Sequence, residues 1–350
     1  MLADLITDLA MAPYDFTKWV VATAHRKNPE WVTPNRAVLD TPIAKLRDFS
    51  TTYSDATPTL ILPPMAGHAS TIVDYSGQSQ VQLVLDHGLT HLYAIDWKGA
   101  TQDTKDVTIE DRMAFVTLAV HLIAGFSGKV NLIGNCQGGW ESSVWAALNP
   151  ERVNTLTVAG APIDTSVGDS LTKTLLPILV PGGSTKLFEL AVASMGGVWP
   201  GINMISAFML MHPTSHPAAH IKLFGDIRDS EKVERFSKFY DWYFHPVNLS
   251  GALYLWAVKH LFVDNELYRG VLKVGGETVD LHNIKAPVFL LAGESDDITP
   301  PEQQLNMANV VGSTEVHTHT APGGHIGLFI GGKSQRDFWP LMLARVRELS

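Results

Sequence analysis

The stretch "VNLIGNCQGGW" (residues 130–140) constrains the fold of this chain more than any other. An apolar run leads into Gly134-Asn135-Cys136-Gln137-Gly138, and a helical pattern follows. A side chain at the apex of a sharp strand-to-helix turn is thrust above the edge of a sheet. Its neighbours two positions away must be small, because the backbone is crowded there. Gly-x-Cys-x-Gly is therefore a nucleophile elbow with sulfur in place of a hydroxyl. Cys136 is the only cysteine in 350 residues, and no Gly-x-Ser-x-Gly competes for the role. The helix expected over 137–148 points its positive end at the sulfur, which favours a thiolate. The Gln137 amide faces a developing oxyanion. A cysteine simply packed in a glycine-containing turn is the plainer alternative for the same letters.

The surrounding pattern supplies the setting that an elbow requires. "TLIL" (59–62), "THLYAID" (90–96), "KVNLIG" (129–134), "VNTLTVAG" (153–160), "PVFLLAG" (287–293) and "TEVHTHT" (314–320) read as short strands. Helical patterns such as "GQSQVQLVLDHG" and "DRMAFVTLAVHLIAGF" lie between them, and "FWPLMLARVREL" closes the chain. This alternation predicts an α/β fold, a mostly parallel sheet with helices on both faces. It fails between about 166 and 267, where prolines and aromatics replace strand signals. We expect a helical cap inserted there: 1–165 as the first part of the core, 166–269 as the cap, 270–350 as the second part. Residues 2–23 carry apolar positions at helical spacing and predict an amphipathic helix.

Composition excludes several classes. The formal net charge is −9, which argues against a nucleic-acid binder. One cysteine cannot form an internal disulfide. "MLADLITDLA" lacks the basic start of a signal peptide. The greasiest runs are broken by Pro177, Pro181, Pro200 and Pro213, so no transmembrane segment is expected. A soluble cytoplasmic protein follows.

A cysteine nucleophile needs a base, and the base an orienter. In chain order these follow the elbow, at strand ends on the same edge of the sheet. "ESDDITPP" after the strand at 287–293 offers Asp296 or Asp297; Asp296 is assigned as orienter, and Asp297 as a solvated loop carboxylate or helix cap. "APGGHIGLF" presents His325 on a glycine-lined loop as the base. The second oxyanion donor must come from "LPPMAGH" (62–68). Pro63 and Pro64 have no N–H, so Met65 is the first residue able to serve.

Other motifs carry less. "GLFIGGKS" (327–334) matches a phosphate-binding loop by letters, but large apolar residues fill it. His212, His216 and His220 have metal-like spacing, but Pro213 and Pro217 argue against a regular helix, so no metal is assigned. His317 and His319 share one strand face and read as surface. "FYDWYFHP" (239–246) reads as cap core, and the Met-rich "INMISAFMLM" as core, oligomer contact or substrate surface.

Taken together, the chain resembles the polyhydroxyalkanoate synthase family, an α/β-hydrolase-fold group with a cysteine nucleophile. The segments that carry the likeness are "LYAIDWKGA", "VNLIGNCQGGW", "LFVDNELYRGVLKVGGETVDLHNIKAPVFLLAGESDDITPP" and "APGGHIGLFIGGKSQ". The resemblance places Cys136, Asp296 and His325 at the family's catalytic positions. It implies hydroxyacyl-CoA as substrate, with coenzyme A entering only as part of the acyl donor and no other cofactor. It further implies a growing polyester chain, a homodimer or an accessory synthase subunit as partner, and a place at polyester granules. Two positions depart from the family: Asp297 stands where a histidine is usual, and Trp140 where a smaller residue is. "GESDDI" also resembles intracellular polyhydroxyalkanoate depolymerases. A cysteine hydrolase, either depolymerase or thioesterase, and a non-catalytic granule protein therefore stay open as alternatives.

Overall fold

The computed structural model describes residues 2–24, 27–53 and 56–350. Eight strands form the central sheet: β1 (Arg36–Asp40), β2 (Ala44–Asp48), β3 (Thr59–Leu62), β4 (Leu92–Trp97), β5 (Val130–Asn135), β6 (Val153–Ala159), β7 (Val288–Gly293) and β8 (Val316–Ala321). Their order is β1-β2-β4-β3-β5-β6-β7-β8. β1 pairs antiparallel with β2, β2 pairs antiparallel with β4, and the remaining six run parallel.

Alternation along the strands divides the core in two. Leu60, Leu62, Leu132 and Leu290 pack into one apolar cluster, while Ile61, Ile133, Phe289 and Leu291 pack into the other. Successive side chains point to opposite faces of a strand, so each cluster fills one side of the sheet. Helices cover both. Among them are α2 (Gln80–Asp86), α3 (Ile109–Ala124) and α4 (Gln137–Leu148) early in the chain. This is the α/β architecture, a mostly parallel sheet with helices on both faces, that the strand–helix alternation predicts.

Between β6 and β7 the chain leaves the sheet and forms mainly helices: α5 (Leu171–Leu179), α6 (Lys186–Ser194), α7 (Gly201–Met211), α8 (Ser215–Gly225), α9 (Ser230–Tyr243) and α10 (Gly251–Ala257). The way out and the way back are stitched together. Thr165 N–H donates to Asn265 Oδ1 (3.0 Å) and Asn265 Nδ2 donates to Asp164 Oδ1 (2.9 Å). The N-terminal helix α1 (Leu2–Ala24) packs on this cap: Trp19 Nε1 donates to the His220 carbonyl (2.9 Å), and Asp15 pairs with Arg228 (2.7 Å).

The three histidines 212, 216 and 220 do not share one regular helix: α7 ends at Met211 and α8 begins at Ser215, with Pro213 in the break. One part of the expectation is corrected: His216 and His220 do lie on a regular helix, α8, with Pro217 inside it. Pro217 falls in the first turn, where its missing N–H would have had no intrahelical acceptor. His216 faces Tyr240, and its neighbours are aromatic rings. The aromatic run 239–246 is indeed cap core, with Tyr240, Trp242 and Tyr243 buried. The segment 327–334 is mostly helical, divided between α11 (His325–Ile330) and α12 (Gly332–Asp337), so it makes no phosphate cradle. Among the described residues no helix is long and apolar enough to cross a membrane.

Candidate active site

Cys136 sits between β5 and α4 with φ 50° and ψ −115°. Left-handed backbone in a non-glycine residue is strained, and such strain persists only where the surroundings enforce it. Here they do. The Cys136 N–H donates to the Ala159 carbonyl (2.8 Å). A Cβ on Gly138 would fall onto the Leu62 carbonyl, and one on Gly134 onto Ser142 and the Gly138 carbonyl. Both glycines of the motif are thus demanded by close approach.

The loops after β7 and β8 meet beside the sulfur. His325 opens α11, behind Gly323 (φ 119°) and Gly324. Its Nδ1 lies 2.7 Å from Asp296 Oδ2, and both side chains are buried. Asp296 Oδ1 accepts from the N–H groups of Ile298 (3.1 Å) and Thr299 (2.8 Å), which fixes the carboxylate plane. Phe329 stands edge-on to the His325 ring at 5.3 Å. Burial works against a charge on His325. The Asp296 carboxylate and the Cys136 sulfur more than offset it, and hold the imidazole pKa well above its ordinary value. An imidazole oriented by a carboxylate and coupled to a sulfur can move a proton to and from that sulfur.

The two expected oxyanion donors are neighbours, but one is engaged. The Met65 N–H donates to Gln137 Oε1, at a long 3.3 Å. Gln137 Nε2 in turn donates to Glu141 Oε1 (3.0 Å). The Gln137 backbone N–H is the first of α4 and has no intrahelical acceptor. Met65 can therefore serve an oxyanion only when its N–H leaves the Gln137 carboxamide.

Three features escape a sequence reading. Arg112 on α3 forms a bidentate ion pair with Glu141 on α4 (2.7 and 2.8 Å), and both are buried. The Arg112 guanidinium also stacks 3.4 Å from the Trp97 ring centroid. The one acidic residue in the otherwise uncharged "QGGWESSVWAAL" signals a buried partner, though not which one. Asp297 is not simply solvated: its Oδ2 lies 2.7 Å from Nε2 of His212, at the end of α7, a half-exposed link between core and cap. His68, on the loop that carries Met65, is buried among cap aromatics. Among the described residues, no group of three or more His, Cys, Asp and Glu side chains could hold a metal.

The chain is similar to several known proteins. Poly(3-hydroxyalkanoate) polymerase subunit PhaC of Haloarcula marismortui is 29% identical over 271 residues, 75% of this chain and 55% of that protein. The proteins of the same name from Allochromatium vinosum and Synechocystis are 28% and 29% identical, over 71% and 81% of this chain and 69% and 75% of theirs. The chain thus spans little more than half the length of the Haloarcula protein. Among solved structures, a Paleococcus ferrophilus monoacylglycerol lipase superposes with TM-score 0.50 at 17% identity, covering 84% of this chain and 97% of the lipase. A Nitrososphaera gargenis carboxylesterase gives 0.50 at 16% identity, over 90% and 99%. These two show the α/β-hydrolase fold. Residues 39–339 match the sequence family described as "Protein of unknown function (DUF3141)", and by that match over most of its length the chain belongs to this family.

Proposed function

We propose that this protein is a polyhydroxyalkanoate synthase-like acyltransferase that works through a thioester on Cys136. The observation that carries the reading is the buried His325–Asp296 pair coupled to a sulfur on a strained elbow. The poly(3-hydroxyalkanoate) polymerase relatives support the choice of acyl donor.

In the first step the Cys136 thiolate attacks the thioester carbon of a hydroxyacyl-CoA. The new S–C bond replaces the bond to coenzyme A, whose sulfur takes the proton held by His325. The Gln137 N–H, and Met65 N–H once released, stabilise the tetrahedral oxyanion. Thioester exchange is nearly balanced, so the acyl-enzyme keeps its transfer potential. In the second step a chain-end hydroxyl gives its proton to His325, with Asp296 stabilising the imidazolium, and its oxygen takes the acyl group. An ester forms and the Cys136 thiolate leaves. That step is downhill. A cysteine attacking a polyester must instead climb to a thioester before water releases it, so the bond energetics lean towards synthesis. The cap over the site excludes the water that would divert the acyl-enzyme. A homodimer or accessory subunit, and a cytoplasmic place at the granule surface, belong to the same reading.

The test is incubation of the purified protein with 3-hydroxybutyryl-CoA, following thiol release and then polymer in the pellet, beside Cys136→Ala. Thiol release with polymer, absent in the variant, is the expected result. Thiol release with only free 3-hydroxybutyrate makes the protein a hydrolase on the same triad. No acylation of Cys136 and no thiol release would leave a granule-binding protein without turnover.

A further inference from the structure

One buried polar atom next to the proposed site has no hydrogen-bond partner among the described residues: Nε2 of His68. His68 is 7% exposed and lies three residues after Met65 on the loop following β3. Its ring is stacked with Trp242 (4.6 Å, 21°) and with Phe208 (5.9 Å, 23°), and Tyr243 tilts against it at 5.1 Å. Three cap rings thus fix where the imidazole points. Native interiors leave few such nitrogens unsatisfied, because desolvating them without a partner is costly.

Burial pushes the His68 pKa down to about 4, against the pull of the Ala66 and Tyr243 carbonyls; the charge on His325 pushes it further down. His68 is therefore held neutral, while His325 is held in its charged form. A neutral imidazole has one N–H and one lone pair. The two carbonyls favour a ring N–H facing them. We assign the proton to Nδ1, which leaves the lone pair on Nε2, the ring nitrogen without a partner among the described residues.

Building on the acyltransferase reading, we infer that His68 Nε2 accepts a hydrogen bond from the hydroxyl carried on the acyl group, and so selects hydroxyacyl over plain acyl substrates. Two hydroxyls meet at this site. The incoming chain end must be deprotonated, and His325, raised in basicity, takes that proton. The hydroxyl that stays on the acyl group must keep its proton, and a weakly basic nitrogen binds an O–H without removing it. His68 is on the loop that bears Met65, so it stands on the carbonyl side of the site, where the acyl chain of an attacked substrate lies.

The test uses p-nitrophenyl 3-hydroxybutyrate and p-nitrophenyl butyrate, which acylate a cysteine whether the enzyme is a synthase or a hydrolase. First-turnover nitrophenol release and intact mass report acylation at Cys136. The native protein should favour the hydroxy ester by about ten- to a hundredfold in kcat/KM. His68→Phe keeps a ring among the three aromatics but no nitrogen, and should bring the ratio close to one. His68→Gln, which returns an acceptor, should restore part of it. The ratio is insensitive to a general loss of folded protein. An unchanged ratio in His68→Phe, as when only a water occupies Nε2, overturns the inference; so does an equal loss on both esters, the mark of a merely structural ring. Failure of either ester to acylate native Cys136 would instead sink the acyl-transfer reading, and this inference with it.

Discussion

Arg112 and Glu141 offer the sharpest test of how the site is held. Both side chains are sealed from water, at 3% and 0% exposure, and joined by two hydrogen bonds of 2.7 and 2.8 Å. Removing one member leaves the other charge buried. For Arg112→Met the expected loss of unfolding free energy is about 3–5 kcal/mol. The same figure follows from the bonds: two charge-assisted hydrogen bonds at about 1.5–3 kcal/mol each. Glu141→Leu strands the guanidinium instead, with only the Trp97 face and Met65 Sδ beside it, and should cost a similar amount. The double variant buries no charge, and its cost should fall to about zero. Urea unfolding followed by circular dichroism, at one pH and salt concentration, gives the four free energies of the cycle. Singles that each cost under about 1 kcal/mol, or a double whose cost equals their sum, would refute the reasoning. Function should separate from stability in the double variant. Without Glu141 the Gln137 carboxamide loses its anchor and its hold on the Met65 N–H, so acylation of Cys136 should rise above the native rate while the stability is merely restored.

Other expectations follow from the same geometry. His325 has a raised pKa in the folded state, so the stability its pairing supplies is complete below about pH 6.5 and is lost as pH rises through the folded value. Asp296→Asn removes the main attraction and leaves burial, so the His325 ring resonance should titrate at lower pH by NMR, and the stability gap to the native protein should shrink in alkali. His68 works with the opposite sign. Its pKa falls from 6.5 to about 4 on folding, so folding loses stability as pH drops through 6.5 towards 4. The loss is roughly 3 kcal/mol, at about 1.36 kcal/mol per unit. Acid unfolding of His68→Phe should be correspondingly flatter over that window. Gly138→Ala forces a Cβ into the Leu62 carbonyl; expression with a melting temperature at least about 5 °C lower is expected, and a native melting temperature would refute the account of the elbow.

What was legible in the sequence is what depends on neighbours along the chain. The elbow, the strands and the loops that carry Asp296 and His325 are each fixed within about ten residues, and the parallel order of the strands brings those loops to one sheet edge. What was not legible depends on side chains meeting from distant segments. Arg112 and Glu141 are on different helices, and only their packing reveals the pair. Asp297 meets His212 across the cap boundary. In 212–220 Pro213 does mark a break, between α7 and α8, whereas Pro217 breaks nothing because it falls in the first turn of α8. Pro63 and Pro64 leave Met65 as the first residue of the loop with an N–H, but the sequence does not show Gln137 reaching back to occupy it.

The loop from Pro63 to Ala69 unites these observations, because it is gripped from both sides. On the core side Gln137 holds the Met65 N–H, with Glu141 and Arg112 behind it. On the cap side Val247 N–H donates to the Gly67 carbonyl (3.0 Å) and Trp242 Nε1 to the Ala69 carbonyl (3.0 Å). Between Gly67 and Ala69, His68 is stacked on Phe208 and Trp242 of the cap. Gly67 (φ 85°) lets the backbone pass so close to α7 that a Cβ would meet Met204 at 2.6 Å. A cap that lifts away from the sheet must either break both hydrogen bonds, at about 0.5–1.5 kcal/mol each, or draw the loop with it. Drawing the loop stretches its weakest attachment first, the 3.3 Å bond from Met65 to Gln137. Cap displacement and release of the Met65 N–H from Gln137 are therefore mechanically linked, and the loop that carries the proposed second oxyanion donor is also one on which the cap rests.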